Sequence, residues 1–253
     1  MHVDRSQQLD DAARAIGGNS PHRALFFAGE EGIGKTSLLD EVLRRHPDRA
    51  ALYVDLATAF DESDVLGALS LEASARGLRM DSFRTLRQRY AEQPSVTISD
   101  TEIKKSDVEI TVNACRDRRL QNLVLTDELV ATLAGHRGQD APVILLDSFE
   151  RCQSPMREWL CGTLLRGLLA APDVTVFLAG RSVPTLGHPQ SAALTRTLVL
   201  APFDAALVEE WIELAGIEEL KGLGSVIYGG TAGLPARISE FLSNYSAVDW
   251  SAE

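Results

Sequence analysis

The sequence has few cysteines, no long apolar run and no excess of positive charge. Its three cysteines, Cys115, Cys152 and Cys161, form no C-x-x-C pair, so neither a disulfide framework nor a zinc site is expected. No apolar run approaches the ~20 residues that a membrane-spanning helix needs, and the first residues contain no apolar signal-peptide segment. The net charge of −11 argues against a surface devoted wholly to nucleic acid. These absences predict a cytoplasmic protein without a membrane segment.

Apolar strand patterns and helical patterns alternate along most of the 253 residues. Five short apolar runs read as strands, at residues 23–29, 51–56, 142–147, 174–180 and 197–200. The alternation predicts an α/β fold with a five-stranded, mostly parallel sheet sandwiched by helices. From residue 203 onward the pattern is helical only. We therefore predict a main domain over residues 1–202 and a small helical lid over residues 203–253.

One region departs from this alternation. Residues 95–99 and 107–112 alternate with period two and are rich in β-branched side chains, which predicts an inserted β-ribbon at about residues 94–113. A short helix over residues 127–136 is predicted to follow, with Thr126 as its N-cap. The same region has an excess of basic residues, among them Arg84, Arg87, Arg89, Arg116, Arg118 and Arg119. They form either a solvated basic face or a surface for phosphates or an acidic partner.

The strongest motif lies between the first strand and the helix that follows it. Gly29, Gly34, Lys35 and Thr36 fit the phosphate-binding pattern G-x-x-x-x-G-K-[ST]. Glycines let backbone N–H groups curl around phosphate oxygens, and the helix N-terminus adds a positive dipole end. Lys35 is expected to reach the β- and γ-phosphates, and the Thr36 hydroxyl to ligate Mg²⁺. The predicted nucleotide contacts comprise the whole loop: Gly29, Glu30, Glu31, Gly32, Ile33, Gly34, Lys35, Thr36 and Ser37.

Three further side chains follow later strands and complete a candidate site. Asp147 ends the third strand, where a carboxylate can hold Mg²⁺ opposite Thr36. Glu150 is the candidate base or water-orienting group, and the alternative is a solvated loop carboxylate. Arg181 ends the fourth strand, where ligands of open α/β sheets bind, and could contact the γ-phosphate. The alternative for Arg181 is a surface arginine that pairs with a carboxylate.

Five more stretches accompany these motifs in a set order: Val3-Asp4-Arg5, Asp147-Ser148-Phe149-Glu150, Ala179-Gly180-Arg181, Leu198-Val199-Leu200-Ala201-Pro202-Phe203 and Gly230-Thr231-Ala232-Gly233-Leu234-Pro235. Their order resembles the STAND class of signalling ATPases, the group with the NACHT and NB-ARC domains, within the AAA-related P-loop proteins. The second stretch is similar to the D-x-F-E form of bacterial members. The resemblance implies ATP or ADP with Mg²⁺ as cofactor. It also implies that Val3 and Arg5 lie against adenine and that Pro235 packs on the base.

The chain departs from that family at three points. Ser148 stands directly after Asp147, where many AAA proteins carry the catalytic glutamate, so the predicted ATPase turns over slowly or not at all. The ribbon is not part of the ordinary family core. The chain also stops soon after Pro235, whereas members continue into further domains. We therefore expect either a minimal switch that works with a partner chain or a fragment of a longer protein.

Three functions remain open from the sequence. The first is a switch whose ATP state controls conformation, self-association or engagement of a protein partner. The second is a nucleotide-stabilised scaffold that docks a partner on the edge of the predicted ribbon. The third, which the acidic net charge disfavours, is a nucleic-acid-loading ATPase of the origin-binding type.

Overall fold

The computed structural model describes residues 5–92 and 105–247, and within these ranges it describes no side chains for residues 105–117, 246 and 247. Five strands form one sheet: β1 (Ala24–Ala28), β2 (Ala50–Asp55), β3 (Pro142–Asp147), β4 (Thr175–Gly180) and β5 (Thr195–Val199). Their order across the sheet is β2-β3-β4-β1-β5, and every pairing is parallel. The predicted five-stranded α/β fold is confirmed, and the sheet is wholly rather than mostly parallel.

Eleven α-helices are described along the chain, with short 3₁₀ and π turns between some of them. They are α1 (Ser6–Ile16), α2 (Lys35–Arg45), α3 (Glu62–Ala75), α4 (Asp81–Ala91), α5 (Lys105–Ala134), α6 (Ser154–Trp159), α7 (Leu165–Ala170), α8 (Pro189–Ala193), α9 (Ala205–Ala215), α10 (Gly224–Thr231) and α11 (Pro235–Ala247). In the described residues, no helix has both the length and the apolar character needed to cross a bilayer.

Helices cover both faces of the sheet, which explains why its strands read as continuous apolar runs. Alternate residues of β1 enter different cores: Phe26 packs with α3, α5 and α7, whereas Phe27 packs with α1 and α2. All six residues of β3 and all six of β4 are buried. The middle of the sheet is therefore a scaffold held from two sides, and its carboxyl-end loops are fixed by it.

The prediction of a second ribbon strand at residues 107–112 is wrong, because these residues lie inside helix α5. Its first strand, at residues 95–99, lies outside the described residues. The short helix predicted from Thr126 is also wrong in extent, since Thr126 lies within α5 and its hydroxyl donates to the Asn122 carbonyl at 2.6 Å. Adding residues to an existing helix costs no new nucleation, and strand propensities differ by only about 1 kcal/mol. Helix continuity therefore overrides the local period-two pattern.

The last three helices enclose an apolar cluster of their own. Its buried members are Phe203, Val208, Ile212, Leu220, Ile227, Ile238 and Leu242. Asp204 starts α9 as an N-cap, accepting a hydrogen bond from the Leu207 N–H at 2.9 Å. We use the name lid for α9, α10 and α11 with their connecting residues 203–247.

Candidate nucleotide site at the carboxyl edge of the sheet

The candidate site lies where β1, β3 and β4 end side by side. The loop at residues 29–34 follows β1, Asp147 ends β3, and Arg181 follows β4. These strands are neighbours in the sheet and all point the same way, so their carboxyl ends meet at one edge. Side chains that stand more than a hundred residues apart in the sequence therefore come together.

Glycines allow the loop after β1 to wind tightly onto the start of α2. Gly32 and Gly34 adopt left-handed φ angles of 80° and 91°, and Gly34 is the N-cap of α2. At Gly29 an added Cβ would stand 2.9 Å from Ile33 Cγ2 and 3.2 Å from the Leu200 carbonyl oxygen. The first-turn N–H groups of α2 have no acceptor within the helix. This arrangement can hold an anion such as a phosphate.

Lys35 is folded back onto the loop that carries it. Its Nζ donates to the carbonyl oxygens of Gly29 and Glu30, both at 2.8 Å, and the residue is only 9% exposed. Burial lowers the pKa of the Lys35 ammonium, while the Glu150 and Asp147 carboxylates oppose that shift. The ammonium must leave the two carbonyls before it can reach a β- or γ-phosphate.

Asp147 is buried and fully engaged at the end of β3. Its Oδ2 accepts hydrogen bonds from the Thr36 hydroxyl at 2.6 Å and from the Tyr53 hydroxyl at 3.2 Å. Its Oδ1 accepts from the Ser148 N–H at 2.7 Å. The two predicted magnesium ligands are thus adjacent, and Tyr53 is a third member that the sequence analysis missed. The sequence contained one indication of this role, because Tyr53 places a hydroxyl group within the apolar run of β2.

Burial, and next the Asp147 carboxylate, raise the pKa of the Tyr53 phenol. Tyr53 therefore stays protonated and continues to donate to Asp147 across the physiological pH range. Asp55, which ends β2 opposite Asp147, acts differently, since its side chain accepts from the Ala57 N–H and caps a short 3₁₀ turn. Of these two β2 residues, the tyrosine and not the carboxylate donates a hydrogen bond to Asp147.

The oxygens of Thr36 and Asp147 fit a magnesium ion by their chemistry. Mg²⁺ prefers hard oxygen ligands and is commonly held by one or two protein oxygens together with phosphates and water. A hydroxyl and a carboxylate at this separation would each turn toward a shared ion. In the described part of the chain, no group of three or more His, Cys, Asp or Glu side chains could hold a metal by itself.

Glu150 reaches the end of β4 because the chain turns sharply after Asp147. Ser148 adopts a left-handed φ of 60°, which is uncommon outside glycine. Glu150 Oε2 then accepts from the Arg181 N–H at 2.8 Å. Gly180 makes room for this contact, since a Cβ there would stand 3.1 Å from the same oxygen. Glu150 is therefore held at the site edge rather than free in a loop.

The Arg181 side chain pairs with a carboxylate of the phosphate loop itself. Its guanidinium lies 2.5 Å from Glu31 Oε2, and the two side chains are 58% and 74% exposed. The sequence analysis gave a surface arginine paired with a carboxylate as the alternative for Arg181, and the structure has such a pair. The partner is unexpected, however, because it belongs to the loop that was assigned to phosphates.

Two segments from outside the sheet contact the same loop. Arg5 donates to the Ile33 carbonyl at 3.1 Å and to the Ala201 carbonyl at 3.0 Å, and its guanidinium carbon lies 4.9 Å from the Phe203 ring centre. On the lid side, the Ala236 N–H donates to the Gly32 carbonyl at 3.0 Å, one residue after Pro235 begins α11. Val3 lies outside the described residues. Contact of Arg5, Val3 and Pro235 with a nucleotide base stays a prediction.

Two of the basic residues make contacts with α3 and with the residue that precedes it. Arg118 lies 2.7 Å from the Asp61 carboxylate, and Arg87 lies over Gly67 of α3. Together with Ser63 and Asn122 they line a cavity of about 190 Å³ between α3, α4 and α5. Ion pairing and packing of this kind fit a solvated basic face.

The structure is similar to solved archaeal ATPases. A Walker-type ATPase of Pyrococcus abyssi matches with a TM-score of 0.52 and 14% identity, over 99% of this chain and 69% of that one. A signal transduction ATPase with numerous domains (STAND) from Pyrococcus horikoshii, which carries a tetratricopeptide repeat sensor, matches with a TM-score of 0.58 and 17% identity. That match covers 98% of this chain but 33% of the larger protein.

No model of a known protein family matches the chain, and no curated protein matches it in sequence. At these identities the likenesses concern the fold alone. The chain has the α/β fold of P-loop ATPases, with the loop, the strand-end aspartate and the strand-end arginine described above at one edge of the sheet.

Proposed function

We propose that the chain is an ATP- and Mg²⁺-binding switch with slow turnover, acting in the cytoplasm through a protein partner or self-association. One observation carries the proposal: Gly32 lies in the candidate phosphate loop and also accepts the hydrogen bond from Ala236 of the lid. A loop that must adjust to a phosphate is thus the loop that holds the lid. Nucleotide state and lid position are coupled by that shared backbone.

Each side chain has a proposed role that follows from its place. Thr36 and Asp147 hold the magnesium ion, and Tyr53 keeps Asp147 oriented. Lys35 moves from the Gly29 and Glu30 carbonyls to the phosphates, where its charge is better compensated. Magnesium, when bound, supplies charge neutralisation for the transferred phosphate. These roles explain nucleotide binding without requiring rapid hydrolysis.

Hydrolysis depends on Glu150 in this proposal. Ser148 has no carboxylate and cannot serve as a base at neutral pH, so Glu150 is the group proposed to orient or deprotonate water. In the described conformation its Oε2 is occupied by the Arg181 N–H. With one oxygen of Glu150 engaged and no carboxylate at position 148, we expect slow turnover, which suits a switch better than a metabolic enzyme.

Lys35→Ala tests the proposal most directly. We expect its affinity for ATP, measured by calorimetry with Mg²⁺, to fall to a dissociation constant weaker than about 1 mM. Lys221→Ala is the matched control, because it also removes one ammonium, but from the exposed surface of the lid beside Glu218. Unchanged ATP affinity in Lys35→Ala would refute the proposal.

Phosphate release separates the switch from the scaffold alternative. A switch that resets by hydrolysis releases phosphate slowly, and Glu150→Gln reduces that rate while leaving ATP binding intact. A scaffold releases none, and the same variant changes nothing. The scaffold hypothesis placed its docking surface on the edge of the predicted ribbon. Residues 107–112 are helical, so this part of the ribbon offers no strand edge.

A further inference from the structure

The phosphate loop carries two consecutive glutamates, Glu30 and Glu31, in a place proposed to receive anions. Negative side chains beside a phosphate site repel the ligand unless a cation offsets them. Glu30 contributes its backbone carbonyl to Lys35 and leaves its side chain exposed. Glu31 has a specific cationic partner, Arg181, at the end of a different strand. The two glutamates therefore differ in what their carboxylates do.

The guanidinium of Arg181 is the group that would bind a terminal phosphate. Carboxylate and phosphate oxygens bind a guanidinium through the same charge-assisted hydrogen bonds, so Glu31 and a phosphate compete for it. The Arg181 backbone is meanwhile held by Glu150 at 2.8 Å. Only the arginine side chain, which is 58% exposed, is available to change partner.

We infer that Glu31 is a specificity-determining residue that occupies Arg181 in the absence of a γ-phosphate and thereby sets the preference between ATP and ADP. The inference rests on the proposed nucleotide-binding function. ADP can use the loop amides and Lys35 while the Glu31–Arg181 pair stays closed. ATP must open the pair before its γ-phosphate reaches Arg181, so Glu31 lowers the affinity for ATP more than for ADP.

The expected effect is modest because both side chains are largely exposed. An exposed ion pair changes an equilibrium by about fivefold at most, and salt screens it. The pair can also re-form, because Glu31 can bind Arg181 again once the terminal phosphate has left. In this way the diphosphate state resembles the nucleotide-free loop.

Glu31→Gln tests the inference, with Glu30→Gln as its matched control. Both variants remove one negative charge from the same loop, so the general repulsion of the more highly charged ATP is reduced in both. Affinities for ADP and for a non-hydrolysable ATP analogue are measured with Mg²⁺ by calorimetry at about 0.01 M salt. We expect the ratio of ATP-analogue to ADP affinity to rise about threefold more in Glu31→Gln than in Glu30→Gln.

An Arg181→Gln background supplies the second measurement. If Glu31 acts through Arg181, the difference between the two glutamine variants disappears in that background. Equal ratios in Glu31→Gln and Glu30→Gln on the wild-type background would overturn the inference. So would a difference that persists without Arg181. The proposed function survives either result as long as Lys35→Ala still loses ATP; a wild-type chain that binds neither nucleotide refutes both.

Discussion

The middle of the sheet and the lid bury their apolar residues to different extents. In the sheet, β3 and β4 expose none of their residues, and helices cover both faces. The lid has a small core of seven buried residues and also exposes large apolar side chains. These exposed residues are Leu214, Leu223, Val226, Tyr228 and Phe241. Stability in this molecule is therefore concentrated in the part that carries the candidate site.

The difference gives the two regions separate roles. A two-sided core fixes the ends of β3 and β4, and with them the backbone positions of Asp147 and Arg181, because close-packed interiors deform little. The lid meets the rest of the protein through a few contacts, among them the hydrogen bond between Ala236 and Gly32 and the packing of Leu234 against the core of α1 and α2. Contacts of that size can break and re-form at low cost. We expect the lid to be the part that moves, and the following variants test that contrast.

Deleting the same aromatic ring in the two regions should give the largest contrast. Phe177 in β4 is fully buried, with its ring centre 6.1 Å from that of Phe27, whereas Phe241 in the lid is 41% exposed. Phe177→Ala should reduce the free energy of unfolding by about 3–5 kcal/mol, because it leaves a cavity. Phe241→Ala should reduce it by less than about 1 kcal/mol. Urea denaturation measures both, and equal losses would contradict the contrast.

Two glycines with similar φ angles sharpen the comparison within the lid. A Cβ at Gly233 (φ 68°) would stand 2.0 Å from the Phe203 carbonyl oxygen, whereas a Cβ at Gly216 (φ 70°) would meet open space. Gly216→Ala should cost about 1 kcal/mol from the left-handed backbone alone. Gly233→Ala adds a steric clash of about 1–3 kcal/mol.

Hydrogen exchange measures where these losses fall. We expect Gly233→Ala to reduce protection of lid amides while the amides of β3 and β4 stay protected, because the clash separates α11 from Phe203 rather than from the sheet. Loss of protection throughout the sheet would show that lid and sheet unfold as one unit and would remove the distinction between them.

The smallest contrast should come from two lysines whose contributions to stability change with pH in opposite directions. Burial lowers the pKa of Lys35 beside the sheet, whereas a hydrogen bond to Glu218 raises the pKa of Lys221 in the lid, both from an ordinary 10.5. As pH rises toward 10.5, the unfolded chain binds more protons at Lys35 than the folded chain does, so stability at this position increases. At Lys221 the folded chain retains its proton longer, and stability is lost as pH rises through the raised pKa.

Lys35→Met and Lys221→Met isolate these two contributions. Without nucleotide, the stability difference between wild type and Lys35→Met should shift in favour of wild type as pH rises toward 10.5. For Lys221→Met it should shift against wild type above the same pH. Thermal unfolding across that range is the measurement. Slopes of the same sign would mean that the lysines do not differ in environment as described.

Local patterns were sufficient for the strands and for the central pair of the site. A strand buried on both faces must be apolar throughout, so β1, β3 and β4 are visible as runs, and their ends mark Gly29, Asp147 and Arg181. The 2.6 Å contact of Thr36 with Asp147 then follows from parallel neighbours meeting at one edge. Residues 107–112 were misassigned because period two and β-branching are weak signals beside a helix that extends from one already formed.

The sequence alone was sufficient to predict which residues would meet a phosphate, because the loop motif is local and its glycines and lysine act through neighbouring backbone. The sequence could not predict three contacts: the hydrogen bond from Tyr53 to Asp147, the hydrogen bond from the Arg181 N–H to Glu150, and the ion pair of Glu31 with Arg181. Those contacts join residues from different strands and loops, and their formation depends on strand order and side-chain direction. Only the tertiary structure decided that a glutamate of the phosphate loop would lie against the arginine proposed to detect phosphate.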